Sequence, residues 1–234
     1  VIAPPWGWQA FILPQIEQST IGLRFDLQKN DVVNLTGMQI PVPLFICPSA
    51  LLPSVRPPVT STGAGGTTSP TVPTGENPGS ITGGGYAYST YRGVMGAQPV
   101  SDPASNSSDT DWMQNGVLYP NSATKISDIT DGTSNTLLMG DSRYGIWGDG
   151  SSCCARFRND RSTPTDFDNY WFWVQQPPVQ TPTIQYFSFG SLHDDSVIFA
   201  LCDGSSRPIA KTIDKGLIRK LATRAEGTPI DSDF

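Results

Sequence analysis

The chain has 234 residues, of which 23 are glycine and 21 are proline, while only 15 % are charged. Because glycine and proline break helices, this composition excludes a coiled coil or a helical bundle. The aromatic content of 10 % argues against a fully disordered chain, since so many rings need a core. The net charge of −6 and the absence of a basic run exclude nucleic acid as a partner. What remains is one loop-rich, mostly β or α+β domain.

The N-terminal third contains one helical pattern and one strand-like run. Apolar side chains recur at helical spacing within residues 6–18, and Pro14 predicts that this helix is short or kinked. The apolar run at 42–47 lies between two prolines and predicts a strand. Residues 53–85 are almost entirely Pro, Gly, Ser and Thr, which predicts a long surface loop within a single domain covering 1–234.

The middle of the chain predicts short strands joined by turns. Residues 124–129 and 136–139 have strand-like patterns, and Asp131-Gly132 between them is a turn signal. The aromatic run at 170–174 is strongly β-prone.

The C-terminal part shows the strongest pattern. Residues 196–202 and 205–209 flank Asp203-Gly204, which predicts a β-hairpin with a two-residue primed turn. Residues 212–222 carry an amphipathic pattern that predicts a final helix with Thr212 as its N-cap. We therefore expect an antiparallel sheet with this helix against one face.

Four cysteines are present, and the single histidine cannot complete a zinc site of the usual spacing. The export-like composition favours disulfides over free thiols. Since adjacent cysteines rarely bond each other, the two neighbouring ones are expected to take different partners. Three connectivities stay open for the candidate disulfide residues Cys47, Cys153, Cys154 and Cys202.

Oxygen donors crowd into residues 128–135, which is a feature that a calcium ion favours. The candidate ligands are Asp128, Asp131 and Asn135, although ordinary turn chemistry explains the same residues and is the preferred interpretation. Acidic residues near Trp147 and Trp171 in the sequence could indicate carbohydrate binding or the carboxylates of a glycosidase. Their spacing does not identify two of them as a catalytic pair. No other cofactor is expected.

His193 is the only imidazole, so any histidine-dependent catalysis must use it. Its nominal partners are Ser191, Asp194, Asp195 and Asp203, but no G-x-S-x-G nucleophile motif is present. The favoured interpretation is a structural histidine, bonded to a backbone group or an aspartate, that fixes the loop before the hairpin. The chain is therefore predicted not to be an enzyme.

Five phrases, in order along nearly the whole chain, resemble a large paralogous family of planctomycete-type surface proteins with a type IV prepilin-like N-terminus. The family's C-terminal signature is a histidine, nine residues and Asp-Gly, which corresponds to His193, Asp203 and Gly204. One departure is Asp141, which stands where glutamate is usual after Leu-Leu-x-Gly. The other matching phrases are residues 7–18, 45–49, 125–136 and 212–224.

The resemblance implies a pilin-like head domain from which a long hydrophobic N-terminal helix, preceding Val1, is missing. It implies a structural subunit of an extracellular filament or cell-surface assembly, with copies of the same chain as neighbours and membrane contact only through that helix. Asn34 and Asn106 begin Asn-x-Ser/Thr triplets, so glycans are further candidate partners. The rival hypothesis is a membrane-tethered module that binds carbohydrate or another ligand in a calcium-dependent way.

Overall fold

A computed structural model describes the protein in twelve stretches: residues 6–28, 31–50, 86–97, 114–119, 121–142, 145–148, 150, 153–157, 189–191, 193–227, 230 and 234. The α-helices in this part of the chain are α1 (Trp8–Phe11), α2 (Val32–Met38) and α3 (Lys215–Ala222). The strands are β1 (Tyr91–Ala97), β2 (Leu137–Asp141), β3 (Cys154–Phe157), β4 (Ser196–Leu201) and β5 (Ser206–Ala210). Short 3₁₀ helices cover Leu13–Ile16, Ser19–Ile21, Pro43–Phe45, Ile126–Asp128 and Thr133–Asn135.

The five strands form one sheet in the order β3-β1-β2-β4-β5. Strand β1 runs parallel to β3, and every other neighbouring pair is antiparallel. The predicted α+β class is confirmed, whereas the prediction of a purely antiparallel sheet is wrong at the β1–β3 pair. Among the described residues, no helix is long and apolar enough to cross a bilayer.

Two predicted strands are 3₁₀ helices. In the run 42–47, Pro43 opens a 3₁₀ turn instead, because proline has no N–H to give to a sheet ladder. In the run 124–129, the backbone N–H of Lys125 donates to the Asp128 carboxylate at 2.9 Å, and this local bond closes a turn. The predicted strand at 136–139 is confirmed as β2, and the aromatic run at 170–174 lies outside the described residues.

The predicted helix in residues 6–18 is confirmed as a short one. Helix α1 covers four residues, and Pro14 stands in the 3₁₀ turn that follows. Helix α3 begins two residues later than predicted, because the Asp214 carboxylate accepts the Leu217 N–H at 2.9 Å and takes the N-cap role assigned to Thr212.

The β4–β5 hairpin is confirmed, but its turn differs from the prediction. The Leu201 N–H donates to the Ser205 carbonyl and the Gly204 N–H donates to the Leu201 carbonyl, so three residues form the loop. Gly204 alone of these has a positive φ, +87°, while Asp203 accepts the Ser205 N–H and hydroxyl through its side chain. This pattern is that of a type I turn followed by a left-handed residue.

The sheet buries one apolar cluster against α3. It includes Phe157, Phe189 and Phe199 from the sheet side and Ile218 and Leu221 from the helix, all almost completely buried. A second cluster joins α1 and α2 to the loop that holds Trp147, whose indole N–H donates to the Ile40 carbonyl. The described chain thus has a helix-covered sheet and a separate N-terminal layer.

Gly140 in β2 pairs directly with Phe199 in β4, and the Phe199 ring lies over the glycine. A Cβ at position 140 would overlap that ring. The ring cannot move aside easily, because Phe189 and Phe157 lie 5.0 and 6.4 Å from it, centroid to centroid.

We expect Gly140→Ala to lower the free energy of unfolding by about 2 kcal/mol through overpacking, measured by urea denaturation. In a Phe199→Leu background the same substitution should cost clearly less, since the overlapping ring atoms are gone. Equal costs in the two backgrounds would contradict this packing.

Gly204→Ala should cost about 1 kcal/mol, because alanine disfavours the left-handed region. No atom lies within 4 Å of the added Cβ, so the effect is conformational rather than steric. Gly204→Asn is the matched variant and should lose less, since asparagine tolerates positive φ. A lower melting temperature for Gly204→Asn than for Gly204→Ala would show that the turn has another conformation.

Candidate functional site

Three separate stretches of the chain bring a thiol, a carboxylate and the only imidazole together. The Cys47 Sγ lies 3.9 Å from the His193 Nε2, and the same nitrogen lies 3.8 Å from the Asp141 Oδ2. Cys47 and His193 are 146 residues apart in the sequence. We call Cys47, Tyr91, Asp141 and His193 the thiol site.

Hydrogen bonds hold the backbone around Cys47 against the segment that leads into β1. Its N–H donates to the Thr90 Oγ1 at 2.6 Å, just before β1, and the Thr90 N–H donates to the Phe45 carbonyl at 2.9 Å. The Ser49 hydroxyl lies 3.0 Å from the sulfur. These bonds tie the 3₁₀ turn of residues 43–45 to the sheet and aim the thiol toward β2.

Asp141 ends β2 with a side chain only 6 % exposed. Burial raises the pKa of this carboxyl above its ordinary value, while the Ile198 N–H at 3.2 Å and His193 oppose the rise. The Asp141 carbonyl accepts the Gly190 N–H at 3.0 Å. One residue therefore joins β2 to β4 and to the segment that leads to His193.

His193 stands before β4 and its side chain is 40 % exposed. Its backbone N–H donates to the Ser191 Oγ at 3.1 Å, and that hydroxyl donates to the Ser196 carbonyl at 2.6 Å. The loop is thus closed through Ser191. The imidazole has one face toward Cys47 and Asp141 and another toward solvent.

Tyr91, the first residue of β1, completes the thiol site. Burial raises the pKa of its hydroxyl to about 12, and the nearby Cys47 and Asp141 act in the same direction. The hydroxyl therefore keeps its proton and can donate a hydrogen bond to the Cys47 sulfur.

A thiol beside an imidazole that is itself beside a carboxylate has the parts of an activated nucleophile. The geometry differs from a serine-protease triad, because Cys47 and Asp141 approach the same ring nitrogen. The aspartate beside the His193 ring is Asp141, at an ion-pair distance rather than a hydrogen-bond distance, and it is not one of the nominal partners taken from the sequence. In the sequence analysis Asp141 is a departure from a family motif, and Cys47 is a disulfide candidate within the phrase 45–49.

The nominal partners of His193 lie elsewhere. The Ser191 hydroxyl accepts the backbone N–H of His193, and Asp203 lies in the hairpin turn at the far end of β4. At about 3.3 Å a residue, the six residues of β4 separate the two ends of the predicted signature by about 20 Å. His193 and Asp203-Gly204 therefore mark the two ends of one strand rather than a single site.

The candidate calcium ligands have backbone partners. Asp128 accepts the Lys125 N–H, and the two carboxylate oxygens of Asp131 accept the N–H groups of Glu226 and Gly227 at 2.8 and 2.9 Å. Asn135 uses its backbone N–H to close a turn on Gly132. The part of the chain that is described holds no cluster of three metal-ligating His, Cys, Asp or Glu residues. Calcium binding stays a prediction.

The cysteine expectation needs correction. Cys153 and Cys154 are bonded to each other at the start of β3, and Cys47 and Cys202 are free thiols. The prediction that the adjacent cysteines take different partners is wrong, since they bond to each other and are both buried in a cluster with Met95. Burial raises the pKa of Cys202 to about 11.

Asn34 is not available to a glycan in the folded protein. Its side chain is fully buried, accepts the Arg24 N–H and donates to the carbonyls of Arg24 and Gln28. Asn106, the other candidate acceptor, lies outside the described residues.

Comparison with known families shows which family the chain belongs to. The family model described as "Protein of unknown function (DUF1559)" matches residues 2–216, which is most of the sequence. The chain belongs to this family. Searches with this chain found no match among the curated proteins or among the solved structures.

Asp141→Asn tests the burial of the carboxylate. Because its pKa is raised in the folded state, the folded protein binds the proton more tightly than the unfolded chain. The free energy of unfolding of the wild-type protein therefore falls as the pH rises from the ordinary aspartate pKa to the raised one. The asparagine variant has no titrating group at this position, so it does not lose this stability. We expect the stability of the variant relative to wild type to improve from about pH 3 to neutral pH, measured by urea denaturation. The opposite trend, or the same trend in the exposed control Asp194→Asn, would contradict it.

Proposed function

We propose that the protein is a non-enzymatic structural subunit of a pilin-like assembly at the cell surface, with copies of itself as neighbours. Two supports are independent of each other. One is the sequence resemblance to surface proteins with a prepilin-like N-terminus. The other is the distribution of exposed apolar side chains, which is the observation that carries the proposal.

Seven large hydrophobic residues are exposed in the described part of the chain, and six of them fall within residues 11–44. We call these six the N-terminal apolar set, and the seventh is Ile126. A soluble domain scatters such residues, whereas concentration in one layer marks a contact surface. The set consists of Phe11, Phe25, Val32, Val33, Ile40 and Leu44.

Aromatic stacking strengthens this reading of the surface. Phe11 and Phe25 stack with centroids 5.0 Å apart, and Trp6 meets Phe25 edge-on at 5.1 Å. Rigid aromatic groups are enriched at the centres of protein interfaces because they bury much area at little entropic cost. A neighbouring subunit that covered this pair would gain apolar burial without rearranging the layer.

The experiment compares self-association of the wild-type chain with a Val32→Lys, Leu44→Lys variant. Both side chains are mostly exposed, at 72 and 65 %, so folding stability should change by no more than about 0.5 kcal/mol a site. The association constant from sedimentation velocity should fall at least about tenfold, since charged groups replace two contacts worth over about 1.4 kcal/mol.

Ile126→Lys is the matched control, because Ile126 is equally exposed, at 77 %, but lies outside the set. It should associate like wild type. A wild-type chain that stays monomeric at high concentration, or a control that loses association as strongly as the double variant, would overturn the proposal. Calcium-dependent binding to a glycan by such a monomer would support the rival ligand-binding module.

A further inference from the structure

The thiol site has chemistry that a structural subunit does not require. We infer that Cys47 is a modification site, at which its thiol exchanges with a low-molecular-weight disulfide while His193 accepts the thiol proton. The inference stands on the juxtaposition of Cys47, His193 and Asp141, and it does not depend on self-association.

The three contacts supply the parts of the reaction. The Cys47 Sγ lies 3.9 Å from the His193 Nε2, within reach for proton transfer once a ligand tightens the site. Asp141, 3.8 Å from the same nitrogen, stabilises the protonated imidazole by charge. The Tyr91 hydroxyl, whose pKa is raised to about 12, is a donor to the sulfur anion.

The step balances within the groups named. The Cys47 sulfur forms a bond to one sulfur of the disulfide, the original S–S bond breaks, and its electron pair leaves with the second sulfur. The Cys47 proton passes to His193 and then to that departing thiolate. Cys47 is oxidised to a mixed disulfide, and one half of the reagent is reduced to a thiol.

The other cysteines do not share these features. Cys153 and Cys154 are already bonded to each other and nearly inaccessible. Cys202 is a free thiol next to Asp203, and burial together with that negative charge raises its pKa to about 11, which disfavours the thiolate. Cys47 is partly exposed, beside His193, which is itself 40 % exposed, so a small disulfide can reach it more readily than a folded protein can.

Other charges also surround His193. Lys211 directly follows β5, and its Nζ donates to the Ser191 carbonyl at 3.3 Å. Asp194 and Asp195 follow His193 and are exposed. Lys211 and the two exposed aspartates differ in sign, whereas Asp141 and Cys47 lie within 4 Å of the His193 Nε2 and so act on the ring nitrogen directly.

The test uses dithiodipyridine as the disulfide, with the released thiopyridone followed by absorbance and the modified cysteine located by peptide mass spectrometry. We expect a fast phase from Cys47 and a slow one from Cys202. The fast phase should vanish in Cys47→Ser and persist in Cys202→Ser. If Cys47 reacts no faster than Cys202 in the wild-type chain, the inference is overturned. This comparison needs no substitution in the thiol site.

His193→Gln separates proton transfer from structure. It should slow the fast phase about tenfold or more and remove the imidazole's contribution to the pH profile, while the melting temperature stays near that of wild type. Asp194→Asn, which removes a neighbouring exposed charge, should leave the rate unchanged. An unchanged rate in His193→Gln, or an equal loss in Asp194→Asn, would show that His193 is not the proton acceptor.

A second arm distinguishes the source of the disulfide. Oxidised glutathione should form the same mixed disulfide on Cys47, whereas an exposed disulfide of a folded protein should react more slowly. Faster reaction with the protein disulfide would overturn the assignment to small molecules. Failure of the self-association experiment would leave every one of these rates unaffected, so the two proposals fail separately.

Discussion

The buried Asp141 is the residue on which the arrangement of the described chain most depends. Its backbone pairs with Tyr91 across β1 and β2, its carbonyl holds Gly190, and its carboxylate accepts the Ile198 N–H of β4. A carboxylate taken out of water is costly unless such donors compensate it. The backbone of Asp141 therefore links β2 to β1, while its side chain links β2 to β4 and places a negative charge beside His193.

Two features of the surface follow from how the N-terminal layer meets the sheet. The layer exposes apolar side chains on residues 11–44, and its last 3₁₀ turn leads to Cys47 beside the start of the interior strand β1. A subunit contact would use the first feature, and thiol chemistry would use the second. Leu44 lies only three residues before Cys47, so a neighbour on the layer would lie close to the thiol in sequence.

Local interactions explain which elements were predictable. The β4–β5 hairpin, β2 and the short first helix follow from patterns within a few residues, and all are confirmed. Strands β1 and β3 were not predicted. Gly93 and Gly96 weaken the strand pattern of β1, which pairs with β2 and β3. Both partners lie far along the chain, so pairing between distant segments, and not a local pattern, makes β1 and β3 strands.

The sequence by itself determined a loop-rich α+β fold, its hairpin and its final helix, because composition and short-range spacing carry that information. It also contained Cys47, Asp141 and His193, but as separate features with unrelated interpretations. Only the tertiary structure decided that they meet, since the contact joins residues up to 146 positions apart. No periodicity reports a contact of that range; it results from strand order and from the hydrogen bonds that Asp141 satisfies in the folded chain.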